Sequence, residues 1–315
     1  YAELFDKESP HYDEALRAEF EAKVADEVER LREYQTYPDL QLLRFARSGS
    51  AFLMAGLMHT VYNVGMNAER AAEMARDTGD VWAAYHTYSE FIKTFGTHVL
   101  GIPKNSQEDT ERKGNFEDVL KEYLEERNRQ DPSTMRRGID SLTGEEMKEL
   151  SNRYTTLVER TYGKAIPTDM MEQIMMAIEC VYKSWSSPEA IEYRQRRKIS
   201  QEWGSVVIVE KGVFGNLAVT DDKRISGTGA ATLCIVDGHY ALQGRFRFRA
   251  QGPQLMSDLG LDNNYVLMSE TEKHDGKQTT FEAMSTAGAF HTDLYQQVLE
   301  YAVLLKELFG HNQHI

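Results

Sequence analysis

The spacing of apolar residues changes character once along this chain, and that change limits the fold more than any other feature. Up to about Trp203-Gly204 most apolar residues recur every three or four positions; beyond it they alternate, or run together between glycines. Residues 11–35 carry Leu16, Phe20, Val24, Val28 and Leu31 at helical spacing with charges between them, which predicts one amphipathic helix. "LQLLRFARSGS" (40–50) reads as a short apolar strand entering a Ser/Gly turn. From about 51 to 101 the spacing is helical again, with Trp82, Tyr85, Tyr88, Phe91 and Phe95 as its aromatics. The polar stretch 103–140 holds a further helix, "FEDVLKEYLEERNR". Thr143-Gly-Glu-Glu146 has the form of a capping box, Thr168 opens another helix, and Ser187-Pro188 starts a short one. After Gly204 the segments "SVVIVEKGVFG", "GAATLCIVD" and "YALQGRFRFRAQG" predict strands. In the last of these Arg245, Arg247 and Arg249 share one face, and Phe246 and Phe248 the other. "LYQQVLEYAVLLKELFG" (294–310) returns to helix. A helical first half followed by a sheet-rich second half is an α+β plan with at least two lobes.

Charge and cysteine content narrow the function classes. With 36 basic and 50 acidic residues the net charge is −14, which argues against general nucleic-acid binding, because a phosphate backbone would be repelled. The basic cluster Arg194-Gln-Arg-Arg-Lys198 reads as the solvated side of a helix end. Cys180 and Cys234 both sit in apolar segments and read as small buried hydrophobes, which fits a reducing compartment. No apolar run approaches the ~18 residues that a membrane helix needs, and the acidic start carries no signal peptide. The expectation is a cytoplasmic protein without a membrane partner. The chain opens mid-pattern at Tyr1 and stops at Ile315 without a capping element, so it is expected to be an excerpt of something longer.

Five phrases then occur in one order: "LRFARSGSAFLMAGLMHTVYNVGMN" (43–67), "VWAAYHTYSEFIKTFGTHVLGIPK" (81–104), "KSWSSPEAIEYR" (183–194), "WGSVVIVEKGVFGN" (203–216) and "ISGTG" (225–229). Together they resemble the N-terminal nucleotide-binding domain of the pyruvate, phosphate dikinase family, from about residue 40 to about 252. The resemblance implies an ATP-grasp fold: two α+β lobes with ATP and Mg2+ between them and a mostly helical inserted subdomain. It implies an N-terminal helix and first-lobe portion at 1–66, the helical insertion at 67–165, and a second α+β lobe at 166–315. It also implies a partner, a separate carrier domain whose histidine receives the phosphoryl group. That domain and the family's early Gly-Gly-Lys-Gly segment lie outside these residues.

Phosphoryl transfer needs cations around the equatorial oxygens, carboxylates for magnesium and a backbone cradle. By resemblance, Arg47 in "ARSGS" is the phosphate-facing arginine of "VRSG", a group suited to bidentate phosphate binding. The plain alternative is a strand-end arginine paired with a surface carboxylate. Glu210 and Gly212 fall on the strand that would meet adenine. Gly227, Thr228 and Gly229, read as a Ser-Gly-Thr-Gly turn, would approach a phosphate, and Gln251 survives from a later motif. Other positions have changed. The family's second arginine falls at Glu90, an aspartate at His59, the arginine after the "SGTG" segment at Cys234, a glutamate at Arg245 and an asparagine at Arg249. A metal-binding aspartate falls at His314. His86 and Glu90, four apart, could chelate a metal, but with no third ligand nearby they read as a solvated helix face. The losses fall on cations and carboxylates, while Trp185, Pro188, Tyr193, Phe214, Gly215, Gly227 and Gly229 persist. Three functions follow: a binding or structural module that no longer transfers phosphate efficiently, an active half of a divergent dikinase, or an interaction component of a larger assembly.

Overall fold

The computed structural model describes residues 12–33, 44–50, 54, 56–109, 114–213, 215, 227–236, 239–248, 265–273, 277–284 and 292–310. The chain falls into two compact units, Tyr1–Val213 and Phe214–Ile315. In the first, helix α1 (Glu14–Glu33) precedes strands β1 (Arg44–Ser48) and β2 (Thr60–Val64). Helices α2 (Ala68–Thr78), α3 (Val81–His98), α4 (Phe116–Gln130), α5 (Gly144–Tyr162), α6 (Met170–Trp185) and α7 (Pro188–Arg196) follow, and strand β3 (Val207–Lys211) closes the unit.

Local chemistry explains where these helices begin. Asn67, Asp80, Asn115, Asp169 and Ser187 each accept a backbone N–H of the first turn they precede. Thr143 and Glu146 form the capping box that the sequence predicts. Strand β2 is a departure from the helical spacing expected over 51–101. Its five residues, "TVYNV", are too few for the spacing to distinguish, and their pairing partner β1 lies outside the window.

Sheet order is β2-β1-β3, all antiparallel. Strand β3 therefore pairs with β1 although α2 to α7 intervene in sequence. Helix α6 packs on all three strands, and Ala46 and Val61, paired across β1 and β2, are buried. Helix α3 is the centre of the unit, packing on α2, α5 and β2. Gly96 shows how closely: a Cβ there would lie 2.7 Å from Phe116. Phe116 in turn meets Tyr154 edge-on, with ring centroids 5.2 Å apart. A glycine inside a helix costs about 1 kcal/mol of intrinsic stability, here offset by that close approach.

In the second unit β4 (Gly227–Val236), β5 (His239–Phe248), β6 (Tyr265–Lys273) and β7 (Lys277–Met284) form an antiparallel meander. Helix α8 (Thr292–Phe309) packs on β4 and β5, burying Leu299 and Ala302 against Leu233. Both units combine helix with antiparallel sheet, as an α+β plan requires.

Candidate functional site

Residues of β1 alternate across the sheet, so Phe45 and Arg47 lie on the face opposite the buried Ala46. Arg47 is in register with Ile208, and Phe45 with Glu210. The Arg47–Glu210 diagonal is therefore a same-face pair. The guanidinium takes the carboxylate at two points: Nε donates to Oε1 at 2.5 Å and Nη2 to Oε2 at 3.2 Å. Glu210 thereby holds the arginine further into its charged form. Two residues expected to face a nucleotide are thus brought together, and they are bonded to each other.

The "RSG" sequence has a packing reason as well. A Cβ on Gly49 would sit 2.7 Å from Val206 and 2.8 Å from Ile208, so a larger residue would force those side chains to shift where the chain leaves β1 close to β3. Gly49 N–H donates to the Val206 carbonyl at 2.9 Å, and the hydroxyls of Ser48 and Ser205 meet at 2.8 Å. Tyr62, which meets Phe45 edge-on at 5.3 Å, escaped the sequence reading. Burial raises its pKa, Glu90 raises it further, and Arg47 pulls it down, so the phenol stands within electrostatic reach of both.

Glu90 and His86 do not form a solvated helix face. His86 is fully buried and stacks on Trp82 with centroids 4.6 Å apart, and Glu90 is only 5% exposed. The reason is α3's central position, with neighbours on several sides. Burial pushes the Glu90 pKa up, but Lys93, whose Nζ donates at 2.9 Å, wins and holds it below the ordinary carboxylate range, with His86 and Lys104 adding. The i, i+3 spacing in "EFIK" was the available signal for this pair.

His59 stacks on His98, centroids 4.4 Å apart, and its Nδ1 lies 3.3 Å from the Cys180 sulfur. The Cys180 thiol donates to the His98 carbonyl at 3.1 Å. Burial raises the thiol to about 12, which leaves it protonated and unreactive. Burial, with help from His59 and Lys104, lowers His98 to about 4.

Arg194 is also not solvated. It is 3% exposed, donates to the Trp185 carbonyl at 2.6 Å and lies over the Trp185 ring at 4.2 Å, while Trp185 Nε1 donates to the Trp203 carbonyl. The "SW…YR" phrase is thus a clamp between α6 and α7, with a cation satisfying a carbonyl at the end of α6. Arg196, Arg197 and Lys198 of the same cluster are exposed.

Gly227, Thr228 and Gly229 are the first three residues of β4, paired with Phe248, Arg247 and Phe246. The segment expected as a turn is extended, because its residues enter a ladder with β5. Arg245 and Arg247 occupy alternate β5 positions, as the alternation predicts. Gly212 is buried just beyond β3, while Arg249, Gln251 and His314 lie outside the described residues. No group of three His, Cys, Asp or Glu side chains among the described residues is placed to hold a metal ion. The two carboxylates of this region, Glu210 and Glu90, are each engaged by a cation. The described residues therefore do not by themselves fit a magnesium site.

No family model matches the chain. Curated relatives do. Pyruvate, phosphate dikinase 1 (chloroplastic) of Zea mays is 32% identical over 250 residues, 78% of this chain and 24% of the relative. Pyruvate, phosphate dikinase of Clostridium symbiosum is 31% identical over 69% of this chain and 22% of its own length. The Oryza sativa chloroplastic enzyme is 34% identical over 70% and 21%. This chain is a divergent pyruvate, phosphate dikinase-like domain. It spans about a quarter or less of the length of these dikinases. Among the described residues of this dikinase-like domain, no helix is long and apolar enough to cross a membrane.

Proposed function

We propose that this dikinase-like domain is an ATP-grasp nucleotide-binding module in which phosphoryl transfer is weak or absent. The observation that carries the reading is Glu90. It occupies the position at which the dikinase resemblance calls for a second phosphate-facing arginine, it is buried, and Lys93 neutralises it. A carboxylate there adds no positive charge for a developing phosphoryl transition state. Losing one such donor costs roughly 10² to 10³ in rate. Arg47 is the cation left to face phosphate in this reading, while Glu210, Gly212, Gly227, Thr228, Gly229 and Gln251 stay nucleotide-contact candidates by the resemblance alone. ATP is the proposed ligand. Magnesium would need ligands beyond the described residues, and no step is assigned to it.

The division into 1–66, 67–165 and 166–315 belongs to this proposal. The pairing of β1 with β3 joins its first portion to its third, with α2 to α5 of the middle portion lying between them in sequence. The phosphoryl acceptor in this reading is a carrier histidine supplied from outside these residues, and the proposed setting is cytoplasmic. Calorimetric titration with ATP, with and without magnesium, tests the binding half, and transfer of label from γ-labelled ATP to the histidine of a separately supplied carrier domain tests the other. Measurable ATP binding without turnover is expected. Absence of ATP binding, or turnover in the kinase range of ~1–100 per second, would overturn the reading.

A further inference from the structure

We propose that Glu210 is an internal competitor for the anion that Arg47 would bind, making Arg47 a latched anion site; this rests on the nucleotide-binding reading above. The two-point contact from Nε and Nη2 to the two carboxylate oxygens is the arrangement by which a guanidinium grips two oxygens of a phosphate. A phosphoryl group approaching Arg47 therefore needs the same donors that Glu210 already holds. The contact is reachable from solvent, since the Arg47 side chain is 43% exposed and that of Glu210 is 40% exposed.

The frame around the pair is fixed while the pair itself is partly open to solvent. Five consecutive residue pairs keep β1 in register with β3, and the Gly49–Val206 and Ser48–Ser205 bonds pin the exit from β1. Releasing Arg47 then requires only a rotation of the Glu210 side chain, with no strand movement. The latch would lower the affinity for phosphates without abolishing it. With both side chains about two-fifths exposed, water screens the pair, so its expected effect on anion affinity is about two- to five-fold.

Titration calorimetry on the full chain separates the possibilities, with inorganic pyrophosphate and ATP as probes and wild type, Glu210→Gln, Arg47→Gln and the double variant as samples. Glu210→Gln keeps the side-chain shape and removes the charge. It is expected to bind pyrophosphate about two- to five-fold tighter, with the gain shrinking as salt is added and vanishing in the double variant. Equal affinity in wild type and Glu210→Gln, a gain that survives loss of Arg47, or no pyrophosphate binding at all would overturn the latch. Tighter pyrophosphate binding with no ATP binding in any sample keeps the latch and removes the nucleotide reading. ATP binding indifferent to Glu210→Gln does the reverse. Should the variants fold poorly, the Arg47 Nε–H resonance of wild type provides the same test. It is expected to shift on pyrophosphate addition, and a resonance unmoved at saturation overturns the proposal.

Discussion

Glu210 and Glu90 are acidic residues of the same unit, both within reach of the β1–β2 strands, and their surroundings are opposite. Glu210 lies on a three-stranded sheet, shares its charge with Arg47, and is half-exposed, with 40% of its side chain open to solvent. Glu90 lies inside the helical layer on α3, shares its charge with Lys93, and has almost no exposure. An exposed pair is stabilised little, because water solvates the separated ions nearly as well as they solvate each other. Glu90 has lost that alternative while the Lys93 side chain, 29% exposed, keeps part of it, so removing Lys93 strands the carboxylate. Charge at one position is therefore adjustable, and at the other it is built into the fold. That contrast bears on how a phosphate-binding surface can be lost: replacing an exposed cation changes binding alone, whereas a buried replacement such as Glu90 becomes part of the core.

The largest expected effect follows from trying to reverse Glu90. Glu90→Arg restores the residue type that the dikinase resemblance calls for, but it places a second cation beside Lys93 in a buried layer. We expect a loss of about 3–5 kcal/mol in unfolding free energy, measured by urea denaturation, and no gain in phosphoryl transfer to a supplied carrier domain. A variant as stable as wild type would show that the layer is wetter than its burial indicates, and would erase the contrast with Glu210.

A neutral part of the same unit should respond less. Gln173 is buried and joins α6 to the chain leaving β2: its Oε1 accepts from Gly65 N–H at 2.6 Å, and Nε2 donates to the Met66 and Pro167 carbonyls. Gln173→Leu fills similar volume and leaves those backbone groups unsatisfied, which costs about 1–3 kcal/mol. Gln173→Glu tests the same point with charge. Unchanged denaturation midpoints in both variants would mean that the backbone finds other partners.

Much of this architecture was legible in the sequence, and the failures have physical causes. Caps are local, so Thr143 with Glu146 and Ser187 with Pro188 could be placed from three or four residues. Strand β2 could not, because Asn63 adopts a left-handed conformation, φ 57°, inside it and breaks the alternation. The register slips beside it, between Arg44 and Ala46. The β6–β7 hairpin was also missed, since "YVLMSETEK" and "KQTTFEAM" mix charged and apolar residues without a clean period. The site was less legible than the fold. Motif position marked Arg47 and Glu210 as candidates, yet nothing local shows that they bond to each other, since 163 residues separate them. The burial of Glu90 and Arg194 is likewise decided by elements that pack on them from elsewhere in the chain.

A third expectation concerns acid. His98 is held neutral, its pKa lowered by burial, by His59 and by Lys104 to about 4. The unfolded chain takes up that proton near pH 6.5 while the folded chain does not, so stability falls as pH drops from about 6.5 toward 4. Glu90, also lowered, adds its loss only below about 4.5, as pH falls toward its folded value. The window from 6.5 to 4.5 thus belongs to the histidines, with about 1–2 kcal/mol at stake. Urea midpoints across that window should decline in wild type and flatten in His98→Phe, apart from the share of His59, which burial also lowers. An identical decline in both would place the titrating group elsewhere.

The smallest expected effect is the one that makes the Arg47–Glu210 pair suitable as a latch. A double-mutant cycle with Arg47→Gln and Glu210→Gln, read by denaturation, should give a coupling of about 0.2–1 kcal/mol that fades with salt. The strands beneath the pair are held by their own backbone ladder and by the close approach at Gly49, so losing the ion pair should leave the sheet intact. A coupling above ~2 kcal/mol would put Glu210 in the same class as Glu90, a fixed part of the structure. The guanidinium would then be too firmly held for a dilute anion to claim, and the Arg47 face of the sheet would be scaffold.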